Sequence, residues 1–179
     1  MTPVLETERL VLRGLAANDA AALFAFRSDP IEQRHNEPPL TRHAQAEELI
    51  ERLAAEQLTR GGLHWGLTVK PEDRVVGLLG YNYRVVEHRR AGIGYDLTRG
   101  LWGQGLMFEA LQAVLEHGFG PLGLNRVEAH TNDENTPSIR LLRRLGFWRE
   151  GTFHEQFFED GRFHDVALFV QMRRDRQAR

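Results

Sequence analysis

The sequence predicts an α+β (mixed α/β) chain built on a single mixed, mainly antiparallel sheet of about seven strands, with about four helices spread over both faces. Three observations lead there. Runs that alternate every second residue and runs with apolar residues every third or fourth follow the order strand, two helices, three strands, helix, strand, helix, two strands. Hairpins outnumber crossovers in that order, which a doubly wound parallel sheet does not allow. No repeat, low-complexity tract or linker divides the 179 residues, and a chain of that length buries roughly 70% of its unfolded surface around one core.

Glu8-Arg9-Leu10-Val11-Leu12-Arg13 alternates as a first strand with Leu10 and Leu12 on one face. Asn18 is positioned to cap a helix over residues 20–27, which Asp29-Pro30 stops. Thr41 opens a longer helix, in which Ala46, Leu49, Ile50, Leu53 and Ala54 recur at helical spacing until Gly61-Gly62. The two prolines in residues 34–40 mark a loop and a candidate substrate rim. Residues 65–69 and 75–83 are β-rich and joined by Lys70-Pro71-Glu72-Asp73-Arg74, which reads as a hairpin. A strand over residues 91–97 precedes a helix with the stripe Met107, Ala110, Leu111, Val114 and Leu115. Residues 126–131 form the next strand. Pro137 suits the first turn of the helix after it, whose Ile139, Leu142 and Leu145 face inward before Gly146 ends it. Residues 147–158 and 163–172 finish as two strands linked at Asp160-Gly161.

Composition narrows the chemistry. A net charge of -2 and an isoelectric point near 6.5 leave no broad basic field, so nucleic acid is not the expected partner. Cysteine is absent, which excludes disulfides, thiolate zinc sites and cysteine-linked intermediates. The eight histidines are scattered, and neither a P-loop nor a helical H-E-x-x-H occurs, so no metal is expected. No run approaches the ~18 apolar residues of a membrane span, and the first residues lack a charged leader. The expectation is a cytoplasmic protein with no membrane partner.

Trp102-Gly103-Gln104-Gly105-Leu106-Met107 stands where a strand hands over to a helix. Glycines there let ligand oxygens approach the backbone, and the first helical amides, which have no partner inside the helix, attract anionic phosphate. The same glycines also suit a simple tight turn. Gly118-Phe119-Gly120-Pro121-Leu122-Gly123 matches G-x-G-x-x-G literally, but it follows a helix and carries Pro121, so it reads as a connecting loop.

Asn132-Asp133-Glu134-Asn135-Thr136-Pro137-Ser138 leaves a strand and enters a helix. A hydroxyl in that first turn stabilises the negative charge on a thiolate expelled from a thioester, which makes Ser138 the leading general acid. Asn132 and Asn135 can hold the amides of a pantetheine arm. Capping by Asn135 or Thr136 is the plainer alternative.

These segments, with Ile93-Gly94-Tyr95, Leu145-Gly146-Phe147, Arg149-Glu150-Gly151 and the opening Glu6-Thr7-Glu8-Arg9-Leu10-Val11-Leu12-Arg13, resemble the GNAT acyltransferase superfamily, and within it the ribosomal-protein N-terminal alanine acetyltransferases. The resemblance covers nearly the whole chain and implies a single GNAT N-acetyltransferase domain over residues 1–179. It implies a sheet splayed between residues 91–98 and 126–131, with acetyl-CoA in the opening. The pantetheine would pair with backbone near Leu97 and Thr98, and the pyrophosphate would sit on the amides of Gly103, Gln104, Gly105, Leu106 and Met107. Asn132 and Asn135 would contact the cosubstrate, and Ser138 would protonate the departing sulfur. The acetyl group would pass directly to an amine without a covalent enzyme intermediate or a metal. The family analogy also allows a homodimer.

The chain departs from that pattern at two places. Many relatives carry a glutamate just before Ile-Gly-Tyr, where this chain has Gly92. Some ribosomal-protein enzymes carry one on the strand after Gly151, where alignment puts Phe157 here, with Glu155 two residues earlier. Alternation places Asp96 on the face of Gly92 and Gly94, so Asp96 and Glu155 are the candidate carboxylates for proton removal, and with Glu159 for attracting a cation. Deprotonating a lysine amine at pH 7 costs about 4.6 kcal/mol and an α-amine only about 1 kcal/mol. A weak base therefore favours a protein or peptide N-terminus as acceptor. A small-molecule amine (amino acid, polyamine, antibiotic or toxin), with residues 34–40, Trp65 and Tyr81 lining its pocket, and a non-catalytic acyl-CoA binding domain are the alternatives; the aromatics also read simply as core, the favoured role for Trp65.

Overall fold

The structure, a computed structural model, describes residues 2–159 and 161–177. Its strands are β1 (Leu5–Glu6), β2 (Leu10–Arg13), β3 (Leu63–Val69), β4 (Val75–Val85), β5 (Arg90–Leu97), β6 (Arg126–Asn132), β7 (Trp148–Glu159) and β8 (Arg162–Met172). Its helices are α1 (Ala20–Arg27), α2 (Pro30–Gln33), α3 (Ala44–Thr59), α4 (Leu106–Phe119), α5 (Thr136–Leu145) and α6 (Arg173–Gln177). The eight strands form one sheet in the order β1-β2-β3-β4-β5-β6-β8-β7. Every neighbouring pair is antiparallel except β5 and β6.

The predicted order of elements holds, and the additions are short. β1 pairs only Leu5 with Leu12 and Glu6 with Val11, too few residues for alternation to reveal. Pro30 both ends α1 and opens α2, because Asp29 caps the new turn by accepting from the Ile31 amide at 2.8 Å. Gln45 reaches back to the amides of Thr41 and Arg42 at 2.8 and 2.9 Å, so the regular helix starts at Ala44. Asp160, half of the expected turn with Gly161, lies outside the described residues; Gly161 itself has φ +75°.

The apolar stripe read from α4 is buried: Met107, Ala110, Leu111, Val114 and Leu115 join Leu142 and Leu145 of α5 against Trp65, Tyr81, Val127 and Phe169 of the sheet. On the other face Ala20, Leu23 and Phe26 of α1 and Ala46 and Leu49 of α3 cover Val75 and Leu78 of β4. Helices on both faces thus give the sheet two cores, each leucine contributing about 1.5–3 kcal/mol by burial. Trp65 and Tyr81 are fully buried, so both take the core role, the one already favoured for Trp65, and neither lines a substrate pocket. The Trp65 indole donates to the Pro3 carbonyl at 2.7 Å, and the Tyr81 hydroxyl donates to the Val114 carbonyl at 2.8 Å. The G-x-G-x-x-G segment ends α4 and turns toward β6, as its context required. Gly118 lies inside α4, where a Cβ would collide with the Tyr81 hydroxyl.

Two irregularities position the site. β5 and β6 pair only through Arg90 with Arg126, Ala91 with Val127 and Gly92 with Glu128, after which they separate. β6 meanwhile pairs with β8 from Arg126 to Asn132, and β5 pairs with β4 as far as Leu97, so each strand keeps one complete partner. A bulge in β4 between Tyr81 and Tyr83 leaves Asn82 as the extra residue and returns Tyr83 to the face away from Tyr81.

Gly118→Ala is expected to destabilise the protein by about 1–3 kcal/mol in urea unfolding, as overpacking does. Tyr81→Phe alone removes a buried hydrogen bond and costs about 1–2 kcal/mol. The double variant should be more stable than the sum of the two losses, because removing the hydroxyl relieves the collision; strict additivity would contradict the packing described.

Candidate active site

At the C-terminal end of β5 the chain turns through residues 99–101 and reaches Gly103 and Gly105, at φ +75° and +76°. Those left-handed conformations require glycine, whereas packing does not. A Cβ on Gly103 would meet nothing, and one on Gly105 only the Arg9 guanidinium at 3.7 Å. The backbone there is bare. The Glu109 amide makes the first helical bond, to the Gly105 carbonyl at 3.1 Å. Among the described residues, the amides of Gly103, Gln104, Gly105, Leu106 and Met107 donate to no protein acceptor. Five unpaired donors at the positive end of a 14-residue helix form an anion cradle.

Two arginines border it. Arg9 donates to the Gln104 carbonyl at 3.1 Å and pairs with Glu109 at 2.6 Å. Arg144 lies over the Phe108 ring at 4.0 Å. A recess of about 500 Å³ at the cradle is lined by both arginines with Gly103, Gln104 and Gly105. Burial pushes the Glu109 carboxyl up, but hydrogen bonds from Thr7, the Arg9 amide and the Arg9 guanidinium outweigh it and hold the group below the usual range. Arg9 lies in the bend just before β2, and Arg144 sits on the outward side of α5; neither carries a local signal for this position.

Leu97 and Thr98 already have partners. The Leu97 carbonyl accepts from the Trp102 indole at 2.6 Å, and the Thr98 amide donates to Val76 at 2.8 Å. Glu32 of α2 accepts from the Arg99 amide at 2.6 Å and the Thr98 hydroxyl at 3.3 Å. The strand edge that faces the gap is therefore the earlier part of residues 93–97, opposite residues 129–132 of β6.

Across that gap stands the start of α5. Asn135 is its N-cap, its side-chain oxygen accepting from the Ser138 amide at 3.2 Å, and the Asn132 side chain holds the preceding turn by accepting from the Glu134 amide at 2.8 Å. Both asparagines thus commit their oxygens locally. Ser138 projects toward β5, where its hydroxyl lies 2.8 Å from the Tyr95 hydroxyl. Enclosure of the phenol end pushes Tyr95 up to about 12, against the opposing pull of the Ser138 bond. At neutral pH both hydroxyls carry their protons, and the pair can donate one into the gap. Period-2 alternation puts Tyr95 beside Ile93 on the α4 and α5 face, the one sequence signal for this contact.

A cavity of about 1040 Å³ connects the cradle, the gap and Ser138 with Tyr83, Glu128 and His64 on the opposite face of the sheet. Among the described residues no group of three or more acidic, histidine or cysteine side chains is placed to hold a metal, and no helix is long and apolar enough to cross a membrane.

Comparison with known proteins agrees with this architecture. The acetyltransferase (GNAT) domain family matches residues 9–148. The chain belongs to the GNAT acetyltransferase family. It is 40% identical to the uncharacterized N-acetyltransferase p20 of Bacillus licheniformis over 96% of this chain and 97% of that protein. It is 31% identical to the [ribosomal protein uS5]-alanine N-acetyltransferase of Escherichia coli over 59% of this chain and 55% of that one. Among solved structures, RimL, a ribosomal L7/L12 alpha-N-protein acetyltransferase in complex with coenzyme A, superposes with a TM-score of 0.86 at 21% identity, over 95% of this chain and 98% of that one. The protein is an N-acetyltransferase of GNAT type with the mixed α/β GNAT fold.

This GNAT chain treats its two candidate carboxylates differently. Asp96 faces α1 as alternation requires, but it is buried against Arg27, with 2.7 Å between Oδ2 and Nε at an angle that makes no hydrogen bond. Its Oδ1 accepts from the Leu78 amide at 3.1 Å. Burial pushes Asp96 up to about 6 against the pull of Arg27. It lines the cavity but is engaged in the wall. Glu155 is not brought to the site. The register of β7 shifts between Phe153 and Phe157, Glu155 sits in that bulge at φ +51°, and its amide donates to Asp165 at 2.9 Å. The extra residues defeat the alternation count from Glu150-Gly151, and Phe157 stacks on His164 with ring centroids 5.1 Å apart. Of Glu159 only the backbone is described, as the end of β7.

Because Asp96 is raised from 3.8 to about 6 on folding, the folded state binds the extra proton between those values. Its contribution to stability is present below about pH 3.8 and is lost as pH rises through about 6. Asp96→Asn should flatten that part of the stability curve in urea unfolding from pH 4 to 7. An unchanged slope would contradict the burial argument.

Proposed function

We propose that this protein is an acetyl-CoA-dependent N-acetyltransferase that passes an acetyl group directly to a primary amine, the α-amine of a protein or peptide N-terminus. The observation that carries the reading is the alignment of three features along one cavity: the five unpaired amides of residues 103–107, the gap between β5 and β6, and the Ser138–Tyr95 pair beside it.

The amides and the bordering Arg9 and Arg144 suit a diphosphate. The edge of β5 before Leu97 and the facing edge of β6 before Asn132 suit the peptide-like groups of pantetheine, which makes strand-style hydrogen bonds with either side. The thioester then lies toward the apex of the gap, near Ser138. As the amine nitrogen bonds to the acetyl carbon and the carbon–sulfur bond breaks, Ser138 donates its proton to the sulfur, and Tyr95 can resupply it. A positioned acid of this kind contributes about 10²–10⁴-fold. The bound thioester supplies the activated acetyl group; the chain supplies orientation and protons.

The α-amine preference rests on cost, about 1 kcal/mol against about 4.6 kcal/mol for lysine at pH 7, together with the engagement of Asp96 by Arg27. It agrees with the names of the ribosomal-protein relatives. On that reading the enzyme works in the cytoplasm, where ribosomal proteins are made.

The test is CoA release from acetyl-CoA with short peptides that begin with alanine or serine, beside the same peptides with a blocked N-terminus and an internal lysine. The free N-termini should turn over and the blocked peptides should not, and Ser138→Ala should lower kcat about a hundredfold with little change in acetyl-CoA affinity. Turnover confined to the lysine peptides or to small amines would overturn the acceptor; full activity in Ser138→Ala would overturn the acid.

A further inference from the structure

The apex of the gap holds a polar pair on the face opposite Ser138. Gly92 is the last residue of β5 to pair with β6, and its partner across the rung is Glu128. Val127 and Ala129 are buried in the α4 core, so the alternation of β6 sends Glu128 to the other face. Tyr83 is in register with Gly92 from the opposite side. A Cβ at position 92 would collide with the Tyr83 ring, so the space freed by glycine is the space the phenol occupies. The Tyr83 hydroxyl donates to Glu128 Oε2 at 2.5 Å. Arg126 holds Oε1 at 2.6 Å, Arg90 approaches Oε2 at 3.3 Å, and Arg126 also pairs with Glu150.

That geometry fixes the direction of the hydrogen bond. Burial first, then Glu128, pushes the Tyr83 phenol up to about 12. Burial would raise Glu128 too, but hydrogen bonds from Tyr83 and Arg126 outweigh it and keep the carboxylate ionised. The charged groups facing the pair are Arg90, Arg126 and, through Arg126, Glu150. With its proton committed to Glu128, the Tyr83 oxygen offers lone pairs to the cavity that both residues line with Ser138.

We propose that Tyr83 meets the acceptor amine at the apex of the gap, accepting a hydrogen bond from its N–H and taking its proton as the nitrogen–carbon bond forms, with Glu128 as the positioning residue that receives the Tyr83 proton. This rests on the acetyl-transfer reading above. The protons balance: one leaves nitrogen for the Tyr83 oxygen as the Tyr83 proton passes to Glu128 and on to solvent, while Ser138 supplies one to sulfur and is refilled from solvent through Tyr95. The carboxylate missing at Gly92 is thus supplied from the neighbouring strand through a phenol. A weak base suffices at this stage, because a nitrogen already bonded to the acetyl carbon is far more acidic than a free ammonium.

The test compares wild type, Tyr83→Phe and Glu128→Gln in steady-state CoA release with acetyl-CoA and a peptide beginning Ser-Ala, and measures CoA affinity by titration calorimetry. Tyr83→Phe keeps the ring over Gly92 and should lower kcat at least tenfold, with CoA affinity within twofold of wild type. Glu128→Gln should lower kcat, and its rate should go on rising with pH where that of wild type levels off. A Tyr83→Phe kcat within twofold of wild type overturns the proposal, as does a Glu128→Gln pH profile superposable on wild type. If Glu128→Gln fails to bind CoA, its fold is lost and Tyr83→Phe decides alone. If wild type does not turn the peptide over, the peptide acceptor proposed above fails, and the same comparison is made on amine-independent hydrolysis of acetyl-CoA, where water takes the amine's place. A tenfold slower hydrolysis in Tyr83→Phe then supports the relay, and equal rates overturn it.

Discussion

The parting of β5 from β6 after the Gly92–Glu128 rung is the constraint on which the remainder of the molecule depends. A sheet gives up ladder hydrogen bonds only where something else satisfies the backbone or where water reaches it. Here β6 is held along its whole length by β8 and β5 by β4, so the opening does not undo either strand. The Leu10, Leu12, Trp65 and Tyr81 side of the sheet packs under α4, and α5 covers the far bank. The gap is therefore a stable feature between two complete sub-sheets, with free backbone donors and acceptors along both edges.

What surrounds the gap divides by face. The helix that begins beyond the end of β5 turns its unpaired amides outward at Gly103 and Gly105, and Arg9 and Arg144 add positive charge around them. On the same face the first turn of α5 brings Ser138 against Tyr95. The opposite face carries Tyr83 and Glu128 at the apex and Asp96 lower down, where Arg27 engages it. A hydroxyl pair and a phenol–carboxylate pair thus lie on either side of the place where the strands diverge, which is the arrangement the proposed direct transfer between thioester and amine calls for.

Local chemistry made much of this legible in the sequence. Gly103 and Gly105 announced a bare turn before a helix, Asn135 and Pro137 announced a helix start with Ser138 in its first turn, and the stripe from Met107 to Leu115 announced which side of α4 would be buried. Contacts between distant segments were not legible. Tyr95 was visible as a strand residue, but its bond to Ser138 joins positions 43 apart in sequence, and Tyr83 with Glu128 joins positions 45 apart. Bulges caused the remaining differences, because one extra residue reverses every later side chain. Asn82 turned Tyr83 to the face opposite Tyr81, and the bulge around Glu155 removed that carboxylate from the site. Of the aromatic residues on central strands, Trp65 takes the core role favoured for it, and Tyr81, whose face the sequence left open, is core as well.

A crystal structure of the protein with coenzyme A tests the central claim most directly. The account predicts the diphosphate oxygens within about 3.2 Å of the amides of residues 103–107, the pantetheine lying between residues 93–97 and 129–132, and the sulfur beside Ser138. Coenzyme bound elsewhere, or β5 and β6 closed into continuous pairing beyond Gly92 and Glu128 with the coenzyme present, would contradict it.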